Sequence, residues 1–242
     1  VGLSDNYQGR INSLANKLYY TQHLSLISSL VEQNLITGKT TQLLPSDYDA
    51  KEPALAPNNS QLAFTLYRFN ALGEICLLNP NSKPSPTEKP QLTCLGKKNA
   101  RQWQPFWLGD NQLGFLQQQT GKPAQLVVHS LASKTQQVIG EGSLSAPSDG
   151  SNAKAEQGLV VYSRSFANQP ELNGLYFYNL ADATETGPLK LDLPGLTSFA
   201  QIDAQEEWLY FSQYLNDTNN DQQIDAKDHS VVFRLPLQQA LK

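Results

Sequence analysis

The chain is a series of short runs in which apolar and polar positions alternate with a period of two. Stretches rich in Gly, Pro, Asn and Ser separate them. Such alternation marks half-buried strands, and the punctuating residues mark turns. One run recurs five times: apolar, any residue, aromatic, then usually a small hydroxyl. It reads Leu18-Tyr19-Tyr20-Thr21, Leu62-Ala63-Phe64-Thr65, Leu113-Gly114-Phe115, Val160-Val161-Tyr162-Ser163 and Leu209-Tyr210-Phe211-Ser212, with successive copies 44, 51, 47 and 49 residues apart. A second apolar run follows each copy, at Leu35-Ile36, 75–78, 126–128, 175–178 and Val231-Val232-Phe233. A further strand is expected at 42–44, 91–95, 136–139 and 189–191. With one strand ahead of each recurring run, a unit holds four strands. A repeat of about 40–50 residues built this way predicts a β-propeller.

The expected fold is therefore all-β: one propeller of four-stranded antiparallel blades, about five of them visible. The blades fall near residues 9–45, 46–99, 100–141, 142–194 and 195–242. The fifth unit lacks a clear last strand. Either the segment at 3–8 supplies it and closes the ring, or the propeller is larger.

The second unit runs Glu52-Pro53-Ala54-Leu55-Ala56-Pro57-Asn58-Asn59-Ser60-Gln61-Leu62-Ala63-Phe64-Thr65. It resembles the repeat of TolB-type bacterial propellers, roughly Pro-x-x-Ser-Pro-Asp-Gly-x-x-Ile-Ala-Phe. Asn58-Asn59 stands where that repeat has its tight Asp-Gly turn, and Asn tolerates the left-handed conformation needed there. Ala56 replaces the Ser of the repeat. The third unit carries a shorter version over 104–111, and Pro147-Ser148-Asp149-Gly150 echoes the turn in the fourth. The resemblance implies an exported bacterial protein, periplasmic or extracellular, that acts as a scaffold for recognition.

Composition narrows the picture. The net charge of -4 is spread along 242 residues without a basic stripe, which argues against a nucleic-acid partner. No apolar stretch approaches the ~20 residues of a membrane span. A chain that begins at Val1 and holds no Met is expected to be a processed form or an excised segment. Cys76 and Cys94 lie in strand-like runs joined by a Pro/Ser/Asn-rich loop, so paired strands would bring them within disulfide reach. A disulfide implies an oxidising compartment; two buried thiols are the alternative.

The stretch Asp217-Thr218-Asn219-Asn220-Asp221-Gln222-Gln223-Ile224-Asp225-Ala226-Lys227-Asp228 has metal-ligand spacing. It resembles an EF-hand calcium loop. Asp217, Asn219, Asp221, Asp225 and Asp228 supply side-chain oxygens, Gln223 a backbone carbonyl, and Ile224 an apolar plug. Ca²⁺ takes six to eight hard oxygen ligands, which this run can provide. Gln222 stands where Gly makes the sharp turn, and Asp228 replaces a bidentate Glu; both point to modest affinity. The flanks read as strands, so the cation would staple a long hairpin loop. A solvated Asn/Asp-rich turn is the plainer reading.

Several loops after the recurring run are longer than folding needs, and such loops carry binding residues. Tyr67, Arg68, Phe69, Arg164 and Phe166 are of the aromatic and Arg types favoured at hot spots. The partner is left unnamed: a protein or an envelope ligand. Trp103 and Trp107 read as packing between sheets, and His23, His129 and His229 as surface or edge residues. No Gly-x-Ser-x-Gly elbow, His-Glu-x-x-His or phosphate-cradling Gly loop occurs. The chain is thus expected not to be an enzyme. The alternatives are the propeller domain of an envelope enzyme, peptidase- or carbohydrate-active, with its catalytic domain elsewhere, and a periplasmic sensor domain of a membrane-bound regulator.

Overall fold

The computed structural model describes residues 5–12, 16–24, 27–67, 72–82, 90–97, 99–145, 158–166, 168–189, 191, 195–203, 207–222, 224 and 228–241. It contains five antiparallel sheets in chain order. The first is β1 (Asp5–Asn12), β2 (Lys17–Leu24), β3 (Ile27–Asn34) and β4 (Thr40–Gln42). The second is β5 (Asp49–Leu55), β6 (Leu62–Tyr67), β7 (Glu74–Leu78) and β8 (Thr93–Cys94). The third is β9 (Ala100–Trp107), β10 (Gln112–Gln119), β11 (Ala124–Ser130) and β12 (Gln136–Glu141). The fourth is β13 (Ser143–Ser145), β14 (Leu159–Ser165), β15 (Gly174–Asn179) and β16 (Thr184–Thr186). The fifth has three strands, β17 (Leu196–Ile202), β18 (Trp208–Tyr214) and β19 (Ser230–Pro236). A four-residue helix, α1 (Leu237–Ala240), follows. This is the propeller arrangement expected from the repeat, and the recurring run is the second strand of every blade.

That run is apolar at successive positions because the strand is buried on both faces. Leu62 to Leu66 are all buried, as an inner strand sandwiched between neighbouring sheets must be. Four cores lie between consecutive blades. Tyr19 and Leu30 meet Phe64 and Leu66; Ala54, Ala63 and Ile75 meet Trp107 and Phe115; Phe106, Leu116 and Leu126 meet Tyr162 and Tyr178; Val161 and Phe177 meet Leu209 and Phe211. Each such side chain, fully buried, contributes about 1.5–3 kcal/mol.

Polar contacts fix how the blades stack. The first strand bulges in four of the five sheets: between Tyr7 and Arg10, between Lys51 and Ala54, opposite Gly114 to Leu116, and between Ser198 and Gln201. Three bulges hold a left-handed residue, Glu52 (φ 58), Gln104 (φ 52) and Phe199 (φ 51). The Glu52 amide donates to Thr21 Oγ1 of the preceding blade (3.3 Å). Glu52 Oε2 accepts from Thr65 Oγ1 (2.6 Å) and from the Gln104 amide of the following blade (2.7 Å). The hydroxyl that closes the recurring run thus serves the Glu52 bulge twice, Thr21 from the preceding blade and Thr65 from within the same blade. Trp107 Nε1 donates to the Ala54 carbonyl (2.9 Å), and Asp110 accepts the Asn58 amide (3.0 Å). Asn59 does take the left-handed conformation expected at its turn (φ 59). Gly114 is required by contact: a Cβ there would lie 2.1 Å from Cζ of the buried Phe106 ring.

Four expectations change. The third strand of the first blade is Ile27–Asn34, and Leu35-Ile36 lie in the exposed turn that follows it. Residues 5–12 form the first strand of the first blade, so of the expected segment at 3–8 the described residues 5–8 belong to the first blade and not to the fifth. The last strand of the fourth blade is Thr184–Thr186, and of the expected 189–191 the Leu189 amide donates to the Leu175 carbonyl of the same β15 edge (2.8 Å). A four-residue turn with Ala183 at φ 58 returns the chain early, and Leu189 follows along the same edge with its side chain packed against the core shared with the fifth blade. His129 is buried, 7% exposed, with Nδ1 lacking a hydrogen-bond partner among the described residues.

Candidate functional site

Strands β6, β14 and β18 are the second strands of their sheets, and the loops that follow them leave the same end of the blades. Tyr67 ends β6, half-buried, with Lys51 Nζ 5.0 Å from its ring centroid. Arg68 and Phe69 lie outside the described residues. Arg164 sits near the end of β14. Its Nε donates to the Glu141 carbonyl (3.0 Å), and Nη1 meets both Glu185 oxygens at 3.1 and 3.0 Å. Its guanidinium also lies over the rings of Phe166 (5.4 Å) and Tyr176 (5.1 Å). Tyr162, fully buried, donates to Glu185 and to the Ile139 carbonyl. Burial and then the Glu185 carboxylate raise its phenol well above the ordinary range. Burial also raises Tyr176, against the opposing charge of Arg164. Arg164 and Phe166 are thus held together on one wall, while Tyr67 lies two blades away.

Arg164 also borders a cleft of about 220 Å³ between the fourth and fifth blades. Ser143, Ser163, Ser165, Thr197 and Ser198 contribute hydroxyl-bearing residues to it, and Phe199 and Tyr214 contribute rings. Phe199 is 48% exposed at its bulge. This cleft was not readable from the sequence, because its two walls, residues 143–165 and 196–214, come from successive repeats that only the blade stacking brings together. A Cβ on Gly195 would lie 1.9 Å from the Tyr214 carbonyl oxygen, so the start of β17 is packed directly on the end of β18.

Three residues beyond Tyr214 the acidic loop begins. Asp217 Oδ2 accepts the Gln222 amide (2.8 Å), whereas Asp217 Oδ1 is buried without a hydrogen-bond partner among the described residues. Asn219 Oδ1 accepts the Asp221 amide (2.9 Å), and Asn219 Nδ2 reaches Asp221 Oδ2 (3.3 Å). Asn220 and Gln222 are left-handed (φ 61 and 67), so Gln222 makes the turn that Gly would make. Asp228 is buried and its Oδ1 accepts from the Thr218 amide (2.6 Å), the Thr218 hydroxyl (3.1 Å) and the Asn219 amide (3.3 Å). This oxygen closes the loop on itself. Gln223 and Asp225 lie outside the described residues, and Ile224 is 40% exposed, which does not suit a plug. Among the described residues, three acidic, His or Cys ligand atoms come within 4.8 Å of one another at Glu74, Cys76 and Cys94. There the two sulfurs are joined in a disulfide across β7 and β8 and are not metal ligands.

Trp103 and Trp107 pack as expected, Trp103 under Arg101 (4.5 Å) and Trp107 fully buried. Among the described residues no helix is long and apolar enough to cross a membrane.

No protein-family model and no curated protein sequence matches the chain. Solved propellers do match it in structure. TolB from Acinetobacter baumannii superposes with a TM-score of 0.65 at 10% identity, over 98% of this chain and 53% of that one. An oligogalacturonate lyase in complex with manganese gives 0.64 at 15% identity, over 97% and 67%. A puromycin-hydrolyzing peptidase of Mycobacterium tuberculosis gives 0.67 at 9% identity, over 98% and 37%. The chain spans about half the length of the TolB protein and little more than a third of the peptidase. At these identities the likeness shows the fold: an all-β propeller of five visible blades, of the kind found in TolB proteins and also in lyases and peptidases.

Proposed function

We propose that this chain is a non-enzymatic recognition scaffold of an exported bacterial propeller, and that a Ca²⁺ ion in the 217–228 loop steadies its binding face. The observation that carries the reading is the convergence at one end of the fourth and fifth blades. Arg164, the cleft it borders, and Tyr214 at the root of the acidic loop all meet there. A rigid sheet end presenting rings, hydroxyls and an Arg suits recognition of a protein or envelope ligand. The buried Asp217 Oδ1 without a donor is an oxygen that a cation would satisfy. Asp217, Asn219, Asp221 and Asp225 would supply side-chain oxygens and Gln223 its carbonyl, with Asp228 bracing the loop. The TolB-like fold and the Cys76–Cys94 disulfide support a periplasmic or extracellular location.

Affinity capture from an envelope extract tests the reading, using the protein in calcium and its Phe166→Ser variant. A component retained by the parent and lost from a folded Phe166→Ser supports it. Identical capture by both, or turnover of a peptide or uronate substrate by the chain alone, overturns it.

A further inference from the structure

We infer that the corner of the third blade where Lys97, Arg101 and Lys122 meet is a docking site for an acidic segment of a partner protein. The net charge of -4 conceals an uneven distribution. From Lys89 to Lys134 stand six Lys or Arg and one acid, Asp110, whereas the rest of the chain holds twelve and twenty-one. Folding gathers part of this excess in one place. Across β9 and β10, Ala100 pairs with Gln119 and Arg101 with Gln118. The Ala100 amide donates to the Lys97 carbonyl (3.1 Å), and Gln118 Nε2 donates to the Lys122 carbonyl (3.1 Å). The three cations therefore surround one end of this strand pair, and all three residues are exposed.

The chain does not neutralise this corner. Lys17, Lys51 and Arg164 are each paired with a carboxylate, whereas Lys97, Arg101 and Lys122 form no ion pair among the described residues. One carboxylate, Glu74, lies beside Gly96 at the margin, against three cations. The adjoining sequence is itself basic: 68–71, 83–89 and Lys98 bring Arg68, Lys83, Lys89 and Lys98 against Glu88 alone.

Arg101 is prepared for a carboxylate. Its guanidinium lies over the Trp103 ring (4.5 Å), which occupies one face of the planar group and leaves the N–H edge for an anion. The two lysines add positive charge beside it. The class of partner follows from the rest of the same propeller end. Lys122 lies in the turn after β10 and the acidic loop lies after β18, both second strands, so the two share that end. Residues 217–228 hold four Asp and one Lys, which leaves negative charge even around a divalent ion. An anionic bilayer or a nucleic acid laid across this end is repelled there. A folded protein whose carboxylates are confined to one segment meets only the basic corner, and complementary charge sets its orientation.

The test adds fluorescein-labelled hexaglutamate or hexaglutamine to the 242-residue protein and reads anisotropy. Hexaglutamate should bind at least tenfold more tightly, and raising NaCl from about 20 to about 200 mM should weaken it at least tenfold. The double variant Arg101→Gln, Lys122→Gln should also weaken it at least tenfold. Lys39→Gln with Lys134→Gln removes the same charge from exposed turns at the opposite end of the blades and should leave binding unchanged. Equal binding of the two peptides overturns the proposal. So does an equal loss in the two double variants, which would assign the effect to net charge alone. Co-sedimentation with phosphatidylglycerol vesicles that Arg101→Gln, Lys122→Gln abolishes overturns it as well, because the corner would then face a membrane.

Discussion

Replacing Glu52 by Ala should unlock the second blade from the third. Glu52 Oε2 receives hydrogen bonds from the Thr65 hydroxyl and the Gln104 amide, at 2.6 and 2.7 Å. Hydrogen bonds to a charged group contribute about 1.5–3 kcal/mol each. Glu52 is half-buried, so water can replace part of what is lost, and the lower end applies: about 3 kcal/mol for the pair. Both residues carry a Cβ, so the left-handed backbone at 52 costs the two nearly alike. Glu52→Gln keeps an acceptor oxygen and should cost roughly 1 kcal/mol. Urea unfolding at 25 °C reads both. For a domain of this size, 3 kcal/mol corresponds to a fall in melting temperature of roughly 6–12 °C. A double-mutant cycle with Thr65→Val isolates the contact made within the second blade, and the cost of Glu52→Ala that remains in the Thr65→Val background reports the bond to the Gln104 amide of the third. If Glu52→Ala costs less than about 1 kcal/mol, or if its whole cost disappears in the Thr65→Val background, the bulge carboxylate is not a clamp between blades.

Gly114→Ala drives a methyl into the buried Phe106 ring and should destabilise by about 1–3 kcal/mol in the same assay; Phe106→Leu should recover part of it. Reducing the Cys76–Cys94 disulfide, which closes a loop of 18 residues' separation, should cost about 3 kcal/mol, read as a lower melting temperature in dithiothreitol. Burial lowers the imidazole of His129 below its ordinary 6.5. The unfolded chain then binds the proton first, so this contribution to stability is complete above pH 6.5 and is lost as pH falls through the folded value. Unfolding measured between pH 7.5 and 5 should therefore show an acid-side decline that His129→Gln flattens.

The blade plan was legible because inner strands bury both faces and must be written in apolar residues. Leu62 to Leu66 and 175–178 could hardly be read otherwise. Edge strands such as Thr184–Thr186 have no core to satisfy, so nothing apolar announces them, and the apolar Leu189 and Leu191, whose side chains pack against the core, draw the expected strand a few residues too far along. The Asn58-Asn59 turn was readable because its chemistry is local. The bulges were not: Glu52, Gln104 and Phe199 share a left-handed backbone but no residue type. His129 looked like an edge residue because a strand end on paper can be covered by a neighbouring sheet in space. The Arg164 cleft had only one of its walls visible as a candidate, since the other belongs to the next repeat.

Calorimetric titration of the metal-free protein with CaCl₂ tests the central functional claim most directly, because it reads the 217–228 loop without knowledge of any partner. The account expects one ion per chain with a Kd on the order of 10⁻⁴–10⁻³ M, as for extracellular calcium modules, and at least a tenfold loss in Asp217→Asn. No binding at millimolar calcium, or the same isotherm in Asp217→Asn, would contradict it.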